Sequence, residues 1–204
     1  IYERDDTDKV KAAIADPTKK VYICTAPSVR AQIGECFGYE PGTDCEGKMV
    51  AALKSLGFDG VYDTNFTADL TIMEEATEFI KRFTSGELKD RPMFTSCCPG
   101  WIRFIKTQYP HLVKYLSSAK SPQQMFGAVM KTYFAQKLGV SPEDIFTVSV
   151  MPCVAKKGES EMELFYEEYA GKDTDVVITT RELVRMIRSA HINPKALKDI
   201  EPDS

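Results

Sequence analysis

Histidine is nearly missing from this chain. Of its 204 residues only His111 and His191 are histidine, and neither has a companion ligand nearby in sequence. His111 follows Pro110 at a helix end and reads as a surface or capping residue. His191, in the last turn of a C-terminal helix, reads the same way. No zinc-type Cys-x-x-Cys pair exists, which disfavours a zinc or thiol-redox module. The formal net charge is −4, so nucleic acid is not an expected partner. No apolar run approaches the length of a membrane span, so no membrane segment is expected. The opening residues, Ile1 to Asp6, are polar and contain no signal-peptide core, which points to the cytoplasm. The chain begins with isoleucine, so its ends are read as those of a piece. Internal repeats and low-complexity tracts are also missing.

What is present is an ordinary globular composition, 43% hydrophobic and 27% charged. The length suits one α/β domain with a real core. The six cysteines, Cys24, Cys36, Cys45, Cys97, Cys98 and Cys153, are irregularly spaced, unlike a secreted disulfide framework. Strands are expected over 20–25, 58–63, 92–95, 146–151 and 176–178. Helices are expected over 8–15, 28–36, 48–56, 67–83, 99–109, 121–138 and 181–190. In the long helix Ile72, Met73, Ala76, Phe79, Ile80 and Phe83 share one face. Gly38, Gly57 and Gly139 mark helix ends. Ser121 is read as a cap with Gln124 completing a capping box, and Thr180 as a cap. Residues 156–174 read as irregular or partly helical, and Pro194 with the acidic tail as a linker leaving the domain.

The most unusual string is Thr95-Ser96-Cys97-Cys98-Pro99-Gly100-Trp101. Pro99 suits the first helical position, which puts Cys98 at the mouth of a helix. A helix N-terminus favours a thiolate over a thiol, and a thiolate can attack a substrate or bind a metal. The alternative is that both cysteines are small buried hydrophobes. Three turns repeat one pattern of strand, proline and helix or loop: Thr25-Ala26-Pro27-Ser28, Cys97-Cys98-Pro99 and Met151-Pro152-Cys153. In open α/β sheets ligands bind beyond the carboxyl ends of strands. The three turns are therefore expected to converge on one anionic ligand held by Cys98 and Cys153.

These segments resemble the catalytic domain of the [FeFe]-hydrogenases. Residues 95–101 match that family's first cluster motif. Met151-Pro152-Cys153-Val154-Ala155-Lys156-Lys157-Gly158-Glu159 matches its second. Stretches 25–30, 63–75, 116–124 and 177–183 are also similar, so the resemblance runs from about Thr25 onward. It implies an α/β fold, the first lobe of a two-lobed domain with a mixed or parallel sheet flanked by helices. Residues 1–204 would be part of that catalytic domain. The implied cofactors are a [4Fe–4S] cluster with Cys98 and Cys153 as ligands, and a di-iron subcluster with CO, CN⁻ and azadithiolate ligands. The implied reaction is reversible oxidation of H₂ to protons and electrons, with ferredoxin or another low-potential carrier as partner and maturation proteins supplying the cluster. Cys97 would relay protons. Lys156 would hydrogen-bond a cyanide, and Ala26, Pro27 and Ser28 would line the other. Gln123, Met151 and Pro152 would pack around the diatomic ligands. Arg82, Glu78, Ser117 and Glu75 would carry protons toward Cys97, with Glu159 near the relay or locking the lysine. Helix geometry by itself favours a solvated face with an ion pair for Glu75, Glu78 and Arg82.

The family's third motif, with two further cysteine ligands, has no match after Cys153. The chain is therefore expected to be a fragment, inactive by itself. Cys24 and Cys36 are taken as structural thiols, and Cys45 is left without a role. The alternatives are a hydrogenase-like Fe–S protein of iron–sulfur assembly and a sensory relative without high turnover.

Overall fold

A computed structural model of the protein describes residues 4–167 and 171–204. Its centre is a four-stranded sheet built from β1 (Lys20–Thr25), β2 (Gly60–Asp63), β3 (Ile145–Met151) and β6 (Val176–Thr179). The order is β2-β1-β3-β6 and every pairing is parallel. Val21, Ile23, Val148, Val150 and Ile178 are sealed from solvent. Continuous β-branched runs of this kind are what a parallel sheet covered on both faces requires. A minor antiparallel pair joins β4 (Tyr166–Glu167) to β5 (Gly171–Lys172).

Helices fill the connections: α1 (Thr7–Ala15), α2 (Pro27–Ile33), α3 (Glu46–Leu56), α4 (Thr64–Thr84), α5 (Pro99–Gln108), α6 (Pro122–Val129), α7 (Ala135–Leu138), α8 (Ala155–Glu159) and α9 (Thr180–Ser189). One group, α1, α2, α3 and α9, packs through α9, while α4 packs on α6. A π-turn over Met130–Phe134 joins α6 to α7. Gly38, Gly57 and Gly139 do close helices, each in the left-handed region.

From β1 the chain moves outward to β2, then returns to the other side of β1 to lay down β3 and β6. The strand order thus reverses between β1 and β3. In open α/β sheets that switch point, at the carboxyl ends of the strands, is where ligands bind. The turns Ala26-Pro27 and Pro152-Cys153 occupy it. Ala26 N–H donates to the Val150 carbonyl at 3.0 Å, which holds the two turns side by side.

Several expectations need correction. The buried strand over 92–95 is a single parallel bridge, Phe94 to Leu116, and Phe94 is half-buried. Only two of the three proline turns therefore follow sheet strands. Helix α9 is capped by Thr179, one residue earlier than expected, in a reciprocal capping box with Glu182. Ser121 caps α6, but the Gln124 side chain does not reciprocate; both of its polar atoms are buried without partners. The tail does not leave the domain. Asp203 N–H donates to the Val61 carbonyl, and its carboxylate accepts from Val61 N–H and pairs with Lys54. The tail so covers the free edge of β2, which would otherwise be open to further pairing. Within 156–174, α8 and the β4–β5 pair are ordered elements, and residues 168–170 lie outside the described ones.

Candidate functional site

Cys98 is the N-cap of α5, with Pro99 at the first helical position. Its sulfur accepts from Trp101 N–H at 3.5 Å, satisfying one of the orphan donors of the helix start. Trp101 sits edge-on to Phe94 at 5.8 Å and stacks on Phe104 at 6.1 Å, which seats α5 against the preceding segment. Helix α5 packs on α8, immediately after Cys153. The two cysteine motifs are joined by a hydrogen bond: Lys156 Nζ donates to the Cys97 carbonyl at 2.7 Å. Lys156 also bonds both Glu159 carboxylate oxygens, at 3.1 and 3.0 Å.

Glu159 is buried. Its Oε2 accepts as well from Ser121 Oγ at 2.9 Å and Gln123 Nε2 at 3.0 Å. A carboxylate that accepts four hydrogen bonds, three of them at Oε2, is a rigid post for the lysine. Gln123 Oε1, in contrast, is buried with no partner. Such an orphaned acceptor in a native interior calls for an explanation, and an absent ligand is one. Ala26 and Met151 are buried, and Pro27, Ser28 and Pro152 are exposed at the switch point.

On α4, Glu78 stands between Arg82 and Ser117. Arg82 Nη1 donates to Glu78 Oε1 at 3.3 Å, while Ser117 Oγ and Ser118 N–H donate to Oε2 at 2.7 and 2.9 Å. Burial would raise the Glu78 carboxyl, but bonds from Ser117 and Ser118 and the charge of Arg82 bring it below its ordinary value. Arg82 is fixed further by Glu87 and by the carbonyls of Lys114 and Leu116. Glu75 lies one turn before Glu78, and its Oε1 is buried and unpartnered. Arg82, Glu78 and Ser117 are thus a continuous hydrogen-bonded series. Among the described residues no direct hydrogen bond carries it on to Glu75 or Cys97.

The cysteines divide by exposure. Cys97, Cys98, Cys153 and Cys36 are exposed, while Cys24 and Cys45 are buried. Burial pushes the Cys24 thiol up to about 11, and its sulfur lies 3.5 Å from Ser149 Oγ. Burial also raises Cys45. The three motif thiols are therefore accessible, and Lys156 is held at the Cys97 carbonyl. No group of three or more histidine, cysteine or acidic side chains among the described residues is placed to hold a metal ion. The donor set fits half of an iron–sulfur site: two candidate cluster thiols, where four are usual.

Two features escaped the sequence reading. Lys157, next to the site lysine, is buried rather than solvated. The turn at Asp173 and Thr174 is also buried, and Thr174 Oγ1 donates to the Gln123 carbonyl at 3.2 Å. The one signal available for the first was the Thr-x-x-Glu spacing of Thr179 and Glu182, which the reading of Thr180 as the cap passed over, and the sequence carries no signal for the second.

A parallel α/β layer with a Met-Pro-Cys turn at its switch point, tied through Lys156 to a paired-cysteine helix start, is an arrangement suited to holding an iron–sulfur group. The chain belongs to the C-terminal domain family of the iron-only hydrogenase large subunit, which matches residues 19–204. It is 50% identical over 201 residues to iron hydrogenase 1 of Clostridium pasteurianum, covering 98% of this chain and 34% of that one. It is 40% identical over 188 residues to a cytosolic Fe–S cluster assembly factor of Xenopus tropicalis, covering 90% and 39%. Among solved structures, an apo [FeFe]-hydrogenase HydA1 from Chlamydomonas reinhardtii is 42% identical with a TM-score of 0.89, covering 97% of this chain and 51% of that one. The chain thus spans between about a third and a half of the length of the curated relatives it matches. Relatives named as cytosolic and as periplasmic both occur. No helix among the described residues is long and apolar enough to cross a membrane.

Proposed function

We propose that this chain is the part of an [FeFe]-hydrogenase catalytic domain that supplies two cluster thiolates and the proton path for reversible H₂ oxidation. The observation that carries the reading is the hydrogen-bonded series Arg82–Glu78–Ser117, whose last member donates its N–H to the carbonyl of Phe94, three residues before Cys97. Carboxyl, hydroxyl and thiol groups can both take and release protons, which such a path requires. Cys98 and Cys153 would hold the [4Fe–4S] cluster. Ala26, Pro27, Ser28, Gln123, Met151, Pro152 and Lys156 would surround the di-iron unit and its CO and CN⁻ ligands. That unit, when bound, supplies the centre at which hydrogen is cleaved or formed.

The chain's own residues do the rest. Glu159 holds the Lys156 ammonium, a compact donor suited to a small anion. Cys97 exchanges the proton with the site, and Glu75 is the next station, its free Oε1 open to an added donor. Ferredoxin or a similar carrier would exchange electrons, and maturation proteins would deliver the cluster, in the cytoplasm. With two of the four usual cluster ligands, the 204 residues alone are expected to evolve no hydrogen. A role in iron–sulfur assembly is the second reading, supported by the assembly-factor relatives; a cluster without turnover would have no use for the relay.

The test uses the complete protein carrying this segment. Cys97→Ser and Glu78→Gln are expected to keep iron content and the CO and CN⁻ infrared bands while lowering hydrogen evolution by roughly 100-fold or more. Turnover near the unsubstituted rate would refute the relay. Equal loss of iron and activity would make both residues structural. Absence of the infrared bands from the unsubstituted protein would favour the assembly reading.

A further inference from the structure

Lysine is among the residues least often fully buried, yet Lys157 is 7% exposed. Its ammonium has three N–H donors, and all three are used. Nζ donates to Asp6 Oδ2 at 2.7 Å, to the Val177 carbonyl at 2.8 Å and to Glu182 Oε1 at 2.9 Å. Glu182 is completely buried. It accepts also from Asp6 N–H at 2.8 Å and, through Oε2, from Thr179 N–H at 2.7 Å. Asp6, 2% exposed, pairs further with Lys9 at 2.8 Å and Arg4 at 3.0 Å. One buried network of charged groups thus ties α8 to β6, to the start of α9 and to the segment ahead of α1.

We propose that Asp6, Lys157 and Glu182 clamp the Cys153–Glu159 segment in its working orientation, so that the N-terminal residues ahead of the family match are part of the cluster site. The proposal rests on the hydrogenase reading only for what that segment holds. Helix α8 has five residues, too few to be stable by itself, and it follows an exposed cysteine. Consecutive residues on a helix point about 100° apart. Lys156 reaches the Cys97 carbonyl while Lys157 reaches β6 and α9. Fixing Lys157 by three directed bonds therefore sets the rotation of α8, and with it where Lys156 and Cys153 face. An apolar side chain would fill the same space without setting that angle. Buried polar networks of this kind impose geometry more than they add stability. Asp6 lies ahead of residue 19, where the family match begins.

Amide hydrogen exchange on the 204-residue chain tests this without any cluster. Residues 152–160 are compared with β1 as the reference for global opening, in the unsubstituted chain and in Asp6→Asn and Lys157→Met. The expected result is at least tenfold faster exchange over 152–160 in Asp6→Asn, with β1 unchanged. Faster exchange confined to residues 4–16 would make Asp6 an anchor of α1 alone and overturn the clamp. A parallel rise in β1 would reduce the network to general stability and also overturn it. If Lys157→Met does not fold, Asp6→Asn decides. In the complete protein, Asp6→Asn should also alter the electron paramagnetic resonance spectrum of the reduced cluster; an unsubstituted protein that binds no cluster would refute the hydrogenase reading and leave the exchange result standing.

Discussion

Replacing Gly127 with alanine sets two effects of opposite sign against each other. Alanine is favoured over glycine in a helix interior by about 1 kcal/mol. Gly127, however, faces the turn at Asp173 from α6. A Cβ there would lie 1.9 Å from the Asp173 carbonyl oxygen and 2.3 Å from its carbonyl carbon. Both are backbone atoms, so no side chain can swing aside. Relief requires α6 and the turn to part by roughly 1.5 Å, the shortfall from an ordinary contact. The turn resists, because the Asp173 carbonyl accepts from Thr147 Oγ1 at 2.7 Å, Asp173 N–H donates to the Phe165 carbonyl at 3.0 Å, and its carboxylate pairs with Lys120 at 2.6 Å. Overpacking costs about 1–3 kcal/mol, and losing one of these bonds about 1 more. The steric effect wins, for a net loss of about 2 kcal/mol. Gly158, in α8, is the control, since a Cβ there meets nothing within 4 Å. With a urea dependence of about 2–3 kcal/mol per molar, the midpoint should fall by about 0.7–1 M in Gly127→Ala. It should rise by a few tenths in Gly158→Ala. Circular dichroism of the chain in urea measures both. A Gly127→Ala midpoint equal to or above the parent's would refute the close-approach argument.

Thiol labelling of the native chain at pH 8 should modify Cys36, Cys97, Cys98 and Cys153 within minutes and spare Cys24 and Cys45, as their exposure dictates; Cys24 reacting as fast as Cys153 would contradict its burial. Asp6 supplies a pH dependence. Burial alone would raise its carboxyl, but bonds from Lys157, Lys9 and Arg4 hold it down to about 2, against 3.8 when free. A depressed carboxylate contributes stability that is full above about pH 4 and is lost as pH falls toward 2, here about 2 kcal/mol. Unfolding midpoints of the parent and Asp6→Asn should converge over that window, and parallel curves would refute the assignment.

Much of the fold was legible because its signals are local. The boundaries of β1 follow from a run of β-branched and aromatic residues stopped by Ala26-Pro27, and three helix ends follow from glycines in the left-handed region. The cysteine motifs were legible for the same reason, since Pro99 fixes the start of α5 and so puts Cys98 at its cap. Features set by which element meets which were not. The apolar face of α4 shows the limit. Ile72, Met73, Phe79, Ile80 and Phe83 recur at helical spacing, and an amphipathic reading turns them inward. In the structure they are exposed, and the buried stripe is Thr64, Thr67 and Thr71. Small side chains allow α4 to lie close on α6, and two of the three hydroxyls are satisfied locally, Thr67 by the Thr64 carbonyl and Thr71 by the Thr67 carbonyl. Periodicity measures how unequal two faces are, but the partner decides which one is buried. The same reasoning separates Lys156 from Lys157. The two are chemically alike and adjacent in sequence, yet one faces the cysteine motif and the other a buried pair of carboxylates, because a helix turns between them and each side meets a different neighbour.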